Sequence, residues 1–272
     1  MNNDTTWWKL AKFEAKLGLR NRFPMINSIL VALLQLFALG ISSGSTGLTA
    51  ASAFSSIQLG LLLITLTAVQ FGVFTFRTDR RENELLLTIP VERSSVFLGR
   101  FAGNGAVYLL SIEIGFVVPV LFLAIFETSQ VSAYLFVVVN QIFIAISFYT
   151  VGTWIGLRIK NRLTALLFAT AVWLIATSGG DLIALLLTTW FNGAPYRTMF
   201  FSYILINPIA GVRSVCALVL GGEAVYGAGG VIFVRWFGTE TTACAIVLII
   251  TVLWSAVFGI VSLNRFRKTE FD

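Results

Sequence analysis

Six apolar runs, at 26–41, 56–76, 101–126, 133–157, 163–190 and 242–263, leave this chain few folds to choose from. Crossing a bilayer takes about 20 mainly apolar residues. In lipid, every backbone N–H and C=O must find its partner within the protein, and isolated runs of this length do so as helices. The predicted fold is therefore an all-α polytopic membrane protein with six transmembrane helices. The whole chain, 1–272, reads as a single membrane domain with no evident repeat, linker or soluble module. The fifth run is interrupted at Gly179-Gly180-Asp181, where Asp181 is placed to cap a second half-helix.

Charge sets the orientation. Only 12% of the residues are charged and 57% are hydrophobic, against about 25% charged in soluble domains. The net charge of +6 is not gathered into one patch, so nucleic acid is not an expected partner. Instead the cations recur between apolar runs: Lys9, Lys12, Lys16, Arg20 and Arg22 in the leader, five arginines in the loop 77–100, Arg158, Lys160 and Arg162 in a turn, and Arg265, Arg267 and Lys268 in the tail. The segments 42–55 and 127–132 contain no lysine or arginine, and 191–241 holds only Arg197, Arg213 and Arg235. Because basic loops stay in the cytoplasm, both termini and the loop 77–100 are predicted to be cytoplasmic. The polar leader runs to about Pro24 with no small-residue cleavage site behind a short apolar core, so the first run is expected to remain in the mature protein.

Several chemistries are disfavoured. The chain has no histidine, which removes the usual general base, His-paired nucleophiles and His-based metal sites. Cys216 and Cys244 are the only cysteines, and buried, inert thiols fit them better than a disulfide. No G-x-x-x-x-G-K-[ST] phosphate loop is present. The glycines at 221, 222, 227, 229 and 230 lack the strand–helix setting of a nucleotide site and read as a flexible external loop.

Two polar segments stand out. Residues 5–22 place Trp7, Leu10, Ala11, Glu14 and Leu17 near one helical stripe with Lys9, Lys12, Lys16 and Arg20 around it; apart from Glu14, this is the pattern of an interfacial amphipathic helix. The loop 77–100 concentrates five arginines and four acids. Within it, residues 84–90 read as a short amphipathic helix stopped by Pro90, with Ser94 or Ser95 placed to cap the helix that follows. A folded, charged connector is unnecessary for joining two spans, and this one has the character of a docking surface. The external segment 191–241 has apolar pieces, 199–206 and 209–220, broken at Asn207-Pro208 and carrying Arg213. Re-entrant or interfacial helices are expected there, or else an extra hairpin, which leaves the topology parity unchanged.

Among intramembrane polar residues, Glu113 falls in the middle of the third run. A carboxylate at the bilayer centre costs about 2.5–3.5 kcal/mol on insertion scales, so it is expected to be protonated, paired or facing water, in a pathway or at a dimer interface. Asn140 and Asp181 are candidates for the same surfaces, although a structural cap suits Asp181 better. Asn104, Asn140 and Gln141 are expected to hydrogen-bond between helices, and Phe71 and Phe74 are candidates for a ring that closes the pathway.

This layout resembles the ABC-2 type permease family, the membrane subunits of ATP-binding cassette exporters. The basic amphipathic leader and the charged loop between spans two and three match, and the loop carries the more specific likeness. Asp79 or Glu82 fills the family's acidic position, Leu85, Leu86 and Leu87 its leucine turn, Pro90 its proline, and Gly99-Arg100 the pair entering span three. The family's Gly-Thr pair is absent, with Arg81-Glu82 near its place. The Asn207-Pro208 break followed by Arg213, in so compact a chain, is similar to a subgroup of the family, the permeases of nitrous-oxide-reductase maturation transporters. The resemblance implies an ABC-2 (type V) exporter-like fold in a prokaryotic cell membrane and a transport subunit that is not itself an enzyme. It implies a second permease copy, most simply as a homodimer, surrounding lipid, and a separate ATPase subunit that holds ATP and Mg, with no cofactor on this chain. An external accessory protein is a further candidate partner. In this reading 77–100 is a coupling loop, with Leu85, Leu86 and Ile89 as apolar anchors and Arg80, Arg81, Glu82, Glu84 and Arg93 fixing orientation. The competing expectation is an ion-coupled secondary transporter or channel built on Glu113, which predicts inverted repeats that the sequence does not display.

Overall fold

The computed structural model describes residues 3–20, 22–42, 50–77, 92–126, 131–179, 206–226 and 239–268, with isolated positions between 182 and 203. Asp79, Arg80, Arg81, Glu82, Glu84, Leu85, Leu86, Leu87 and Pro90 of the coupling-loop expectation lie outside the described residues, as does Asp181. Every element among the described residues is helical: α1 (Asn3–Arg20), α2 (Arg22–Ser42), α3 (Ala50–Arg77), α4 (Arg93–Phe126), α5 (Val131–Arg158), α6 (Arg162–Leu174, continued by a π turn at Ile175–Gly179), α7 (Pro208–Tyr226) and α8 (Glu240–Lys268). Among the described residues, five stretches are long and apolar enough to cross a membrane: Ile57–Phe76, Arg93–Pro119, Phe136–Arg158, Arg162–Gly179 and Thr241–Lys268. The first apolar run is also helical, with Pro24–Phe37 as its apolar part within α2. Among the described residues, each of the six runs thus contributes a helix to an all-α polytopic membrane fold.

The centre of the bundle is the α3–α5 pair, and small residues set how closely it packs. Gly72 of α3 lies against the backbone of Tyr149, Gly152 and Thr153, while Gly152 of α5 lies against the Val69 carbonyl. With no side chain at either position the two backbones touch, the usual device for helix association in lipid, where apolar burial supplies no driving force. Around this seam Ile64, Ala68, Val69, Val73, Ile144, Ala145 and Ile155 are buried. The helix α8 is fastened to α5 by hydroxyls. Ser147 Oγ donates to the Thr251 carbonyl at 2.8 Å and lies 2.7 Å from Ser255 Oγ. On the other side, Trp173 Nε1 of α6 donates to Thr65 Oγ1 of α3 at 3.0 Å.

At the end of the bundle reached by α6, the helix widens into the π turn just before Gly179-Gly180. Asn207 exploits this. Its Nδ2 donates to the Ala176 carbonyl in the π turn at 2.7 Å, and its Oδ1 accepts from the Ile209 and Ala210 amides at 3.1 and 3.5 Å. One side chain therefore caps α7 and ties it to the end of α6, with Pro208 at the first helical position, where its missing N–H is harmless. The helix α7 then enters the bundle, where Ile209, Val212, Val215, Cys216 and Leu218 are buried. Both cysteines are free thiols and Cys216 is buried. The helices α7 and α8 start at the same end of the bundle, and α8 finishes at the opposite one. Replacing Asn207 with alanine removes the cap and strands the Ala176 carbonyl. A loss of about 1–2 kcal/mol is expected, with faster amide exchange in the first turn of α7, measured by hydrogen–deuterium exchange in detergent.

Candidate functional site

The described helix ends carrying Arg77, Arg93, Arg158, Arg162 and Lys268 meet at one end of the bundle, because Phe76, Phe97 and Phe266 form a buried cluster there with Leu10 and Leu157 against it. The loop 77–100 leaves and re-enters the fold through this cluster. The last turn of α3 and the first of α4 are clasped by aromatic rings: Phe76 stacks on Phe97 with centroids 5.0 Å apart, and Phe266 of α8 lies 5.6 Å from each. Arg93 Nη1 donates to the Arg267 carbonyl at 3.0 Å, so the first residue of α4 is tied to the last turn of α8. The helix α4 begins at Arg93, ahead of the start that a Ser94 or Ser95 cap implies. Glu92 takes the capping position, its carbonyl accepting from the Ser95 and Val96 amides, and Ser94 Oγ donates to its carboxylate at 3.2 Å.

From this clasp an aromatic column runs inward. Phe97 stacks on Phe101, Phe101 packs 5.0 Å from Tyr149, and Tyr149 stacks on Tyr108, which stacks on Phe71. The two tyrosine hydroxyls anchor it: Tyr108 Oη donates to the Ile64 carbonyl at 2.8 Å, and Tyr149 Oη donates to the Phe101 carbonyl at 3.1 Å. Interlocked rings of this kind are stiff and add roughly 0.5–1.5 kcal/mol per pair beyond their burial. The column thus links α3, α4 and α5 through contacts between their rings. Phe71 belongs to this column, whereas Phe74 lies beneath the Arg162 guanidinium, 4.6 Å from its ring centroid.

The amphipathic leader joins the same site. With 34 residues, α4 is about 51 Å long, more than a hydrocarbon core of about 30 Å requires. Along its first turns lies α1. Gly99 accommodates Leu10, Gly103 accommodates Ala11 and Glu14, and Gly18 meets Val107. Between the helices is a buried ion pair: Arg100 Nε donates to Glu14 Oε1 at 2.9 Å, and Asn104 Nδ2 donates to Glu14 Oε2 at 3.3 Å. Glu14, the residue that breaks the interfacial pattern, is thus the residue that fixes the leader. Trp8, Phe13, Leu17 and Leu19 remain exposed on the opposite side with the lysines, as an interfacial helix requires. The pairing of Glu14 with Arg100 and Asn104 is missed by a reading of the sequence one segment at a time. Its signal is the four-residue repeat Gly99/Gly103 beside Arg100/Asn104, facing one acid in a basic helix.

The remaining candidates lie apart from this site. Glu113 is partly buried in α4, and its Oε1 is buried without a hydrogen-bond partner among the described residues. Asn140 is buried but turns back on its own helix, donating to the Phe136 carbonyl at 3.0 Å, rather than bonding between helices. Gln141 is buried with both amide atoms unpartnered, while Asn104 does bond between helices, to Glu14. Asn207 and Pro208 open α7, and Arg213 is half-buried within it. Apart from Asn104, none of these joins the loop base.

Comparison with known proteins agrees with this architecture. The chain is 26% identical over 282 aligned residues, 96% of its own length and 98% of the other's, to the "Probable ABC transporter permease protein NosY" of Stutzerimonas stutzeri. It is 33% identical over 119 residues to the protein of the same description from Pseudomonas aeruginosa, covering 40% of this chain and 42% of that one. No protein-family model matches the chain. Along nearly its whole length, then, the chain is similar to an ABC transporter permease, a transport subunit of a multi-pass membrane protein class.

Proposed function

We propose that this chain is the permease subunit of an ATP-binding cassette exporter, that two copies form the substrate pathway, and that a separate ATPase drives them through the loop 77–100. The observation that carries the reading is the clasp at the loop base, where Phe76, Phe97 and Phe266 bind together the helices on either side of the loop and the final helix. A docking loop rooted in a rigid aromatic column is suited to convert ATPase movement into helix tilt. Closure of the ATPase pair around ATP would push the segment 79–93, and the column would pass that displacement to α3, α4 and α5. The cations grouped at the loop end of the bundle support a cytoplasmic position for that end and for both termini. No covalent bond is made or broken by the permease; the hydrolytic chemistry, with ATP and Mg, belongs to the partner. Native mass spectrometry of the complex purified in mild detergent tests the stoichiometry. Two permease and two ATPase subunits are expected, and a permease that is monomeric and alone contradicts the reading.

A second reading, ion-coupled transport, is favoured by one observation, the buried Glu113 Oε1 without a partner. It predicts that transport collapses with the membrane gradient and with Glu113→Gln, and that it proceeds without ATP. The ATPase-driven reading predicts transport that survives loss of the gradient.

A further inference from the structure

At the loop end of the bundle, α5 and α8 enclose an open cavity of about 240 Å³ lined by Trp154, Arg158, Val261, Asn264, Arg265 and Lys268. Three of these six residues are cations, and no acid among the described residues lines the cavity. The Arg158 guanidinium lies over the Trp154 ring, 5.6 Å from its centroid. That contact holds the charge at the cavity wall and leaves the N–H edge of the guanidinium for an anion. The approach to the cavity is apolar. On α8, Leu253, Val257 and Val261 are exposed at four-residue spacing, a stripe that runs along one helix face. The next residue in that series is Arg265, with Lys268 three residues on. Trp154 of the cavity wall packs against Phe258 with centroids 5.7 Å apart, and Phe258 stacks on Trp254, nearer the middle of α8, at 5.3 Å.

We infer that this cavity is a binding site for the headgroup of an anionic phospholipid, in the leaflet on the side of both chain termini. The phosphodiester sits among Arg158, Arg265 and Lys268, and an acyl chain lies along Leu253, Val257 and Val261. A headgroup is the occupant favoured over a free anion because the cations stand at the foot of a lipid-facing apolar track, where a phospholipid presents its phosphate at that depth. Basic pockets between helix ends at this depth are where such headgroups are held, and tryptophan at the wall suits the membrane–water boundary. The cavity is lined by α5 and α8 alone, beside the turn of α8 that Arg93 also touches, and its assignment does not depend on how the ATPase engages the loop 77–100.

The test is native mass spectrometry of the purified protein after incubation with phosphatidylglycerol, with phosphatidylcholine, and with phosphatidylglycerol plus millimolar inorganic phosphate. Preferential retention of phosphatidylglycerol, undisturbed by phosphate, is expected. Each cation contributes roughly fivefold, so Arg158→Gln/Arg265→Gln/Lys268→Gln should weaken retention on the order of a hundredfold. The variant Lys9→Gln/Lys12→Gln/Lys16→Gln, which loses the same charge from α1, should retain the lipid as the unaltered protein does. Equal retention of both lipids, an equal loss in the α1 variant, or displacement by inorganic phosphate would overturn the assignment. If the triple variant instead binds lipid normally but sheds a protein partner, the cavity is a protein contact and the assignment fails. Should the α5–α8 variant not fold, brominated lipids decide the matter on the unaltered protein. The fluorescence lost on Trp154→Phe must be quenched more by brominated phosphatidylglycerol than by brominated phosphatidylcholine, and equal quenching refutes the site.

Discussion

Glu14→Ala destabilises the folded chain by several kcal/mol, up to about 3–5 kcal/mol, because it removes the carboxylate that Arg100 meets at 2.9 Å where the arginine side chain is 5% exposed. The partner substitution, Arg100→Ala, strands the Glu14 carboxylate beside Asn104 and carries a cost of the same order. Replacing both residues together, as Glu14→Leu with Arg100→Met, removes two desolvated charges at once and should recover most of the loss, since apolar pairs of similar volume replace buried ion pairs with little penalty. Unfolding in detergent, followed for all the variants, reads this directly. A Glu14→Ala variant as stable as the parent would mean that α1 is not packed on α4. The double substitution also separates stability from function: it restores the fold but removes a charged link between the leader and the root of the loop.

The second large effect is expected at the α3–α5 seam. A side chain at Gly152 would collide with the Val69 carbonyl, and one at Gly72 with the backbone of Tyr149 and Thr153. Backbone cannot yield as the end of a flexible side chain does, so Gly152→Leu must push the two helices apart. Overpacking of a core ordinarily costs about 1–3 kcal/mol and occasionally more; here a loss at or beyond the top of that range is expected, with little folded protein recovered from membranes. Gly259 supplies the control. A methyl group there meets no atom within 4 Å, so Gly259→Ala should be neutral or stabilise by up to about 1 kcal/mol through helix propensity. Expression and size-exclusion profiles of the three proteins distinguish the cases, and a well-folded Gly152→Leu variant would contradict the close approach of α3 and α5.

The layout of the bundle is legible in the sequence because lipid makes it so. A run such as 133–157 has no alternative to a helix, and the cations at Arg77, Arg158 and Lys268 mark which ends belong together. What the sequence conceals is packing between segments distant along the chain. Phe76, Phe97 and Phe266 look like three of 24 phenylalanines, and only the fold makes them one clasp. Glu14 reads as a flaw in an amphipathic pattern until Arg100 is seen beside it. The helix α7 is obscured for a different reason. Its apolar residues are interrupted by Asn207-Pro208 and Arg213 as a surface helix would be, whereas Asn207 is spent on capping and on the Ala176 carbonyl. The coupling residues 79–90 stay an expectation from resemblance, and the permease-like architecture that surrounds them is what gives that expectation its mechanical sense.

We propose that the loop between α3 and α4 is where an ATPase engages this chain. The most direct measurement is affinity purification of the tagged protein in mild detergent, with the partners identified and ATP hydrolysis assayed, beside a variant carrying Leu85→Asp, Leu86→Asp and Leu87→Asp. The account predicts a stoichiometric ATPase with the unaltered chain and its loss from the variant, while the variant keeps its elution volume and unfolding midpoint. An ATPase retained in full by the folded variant, or no ATPase with either protein, would contradict it.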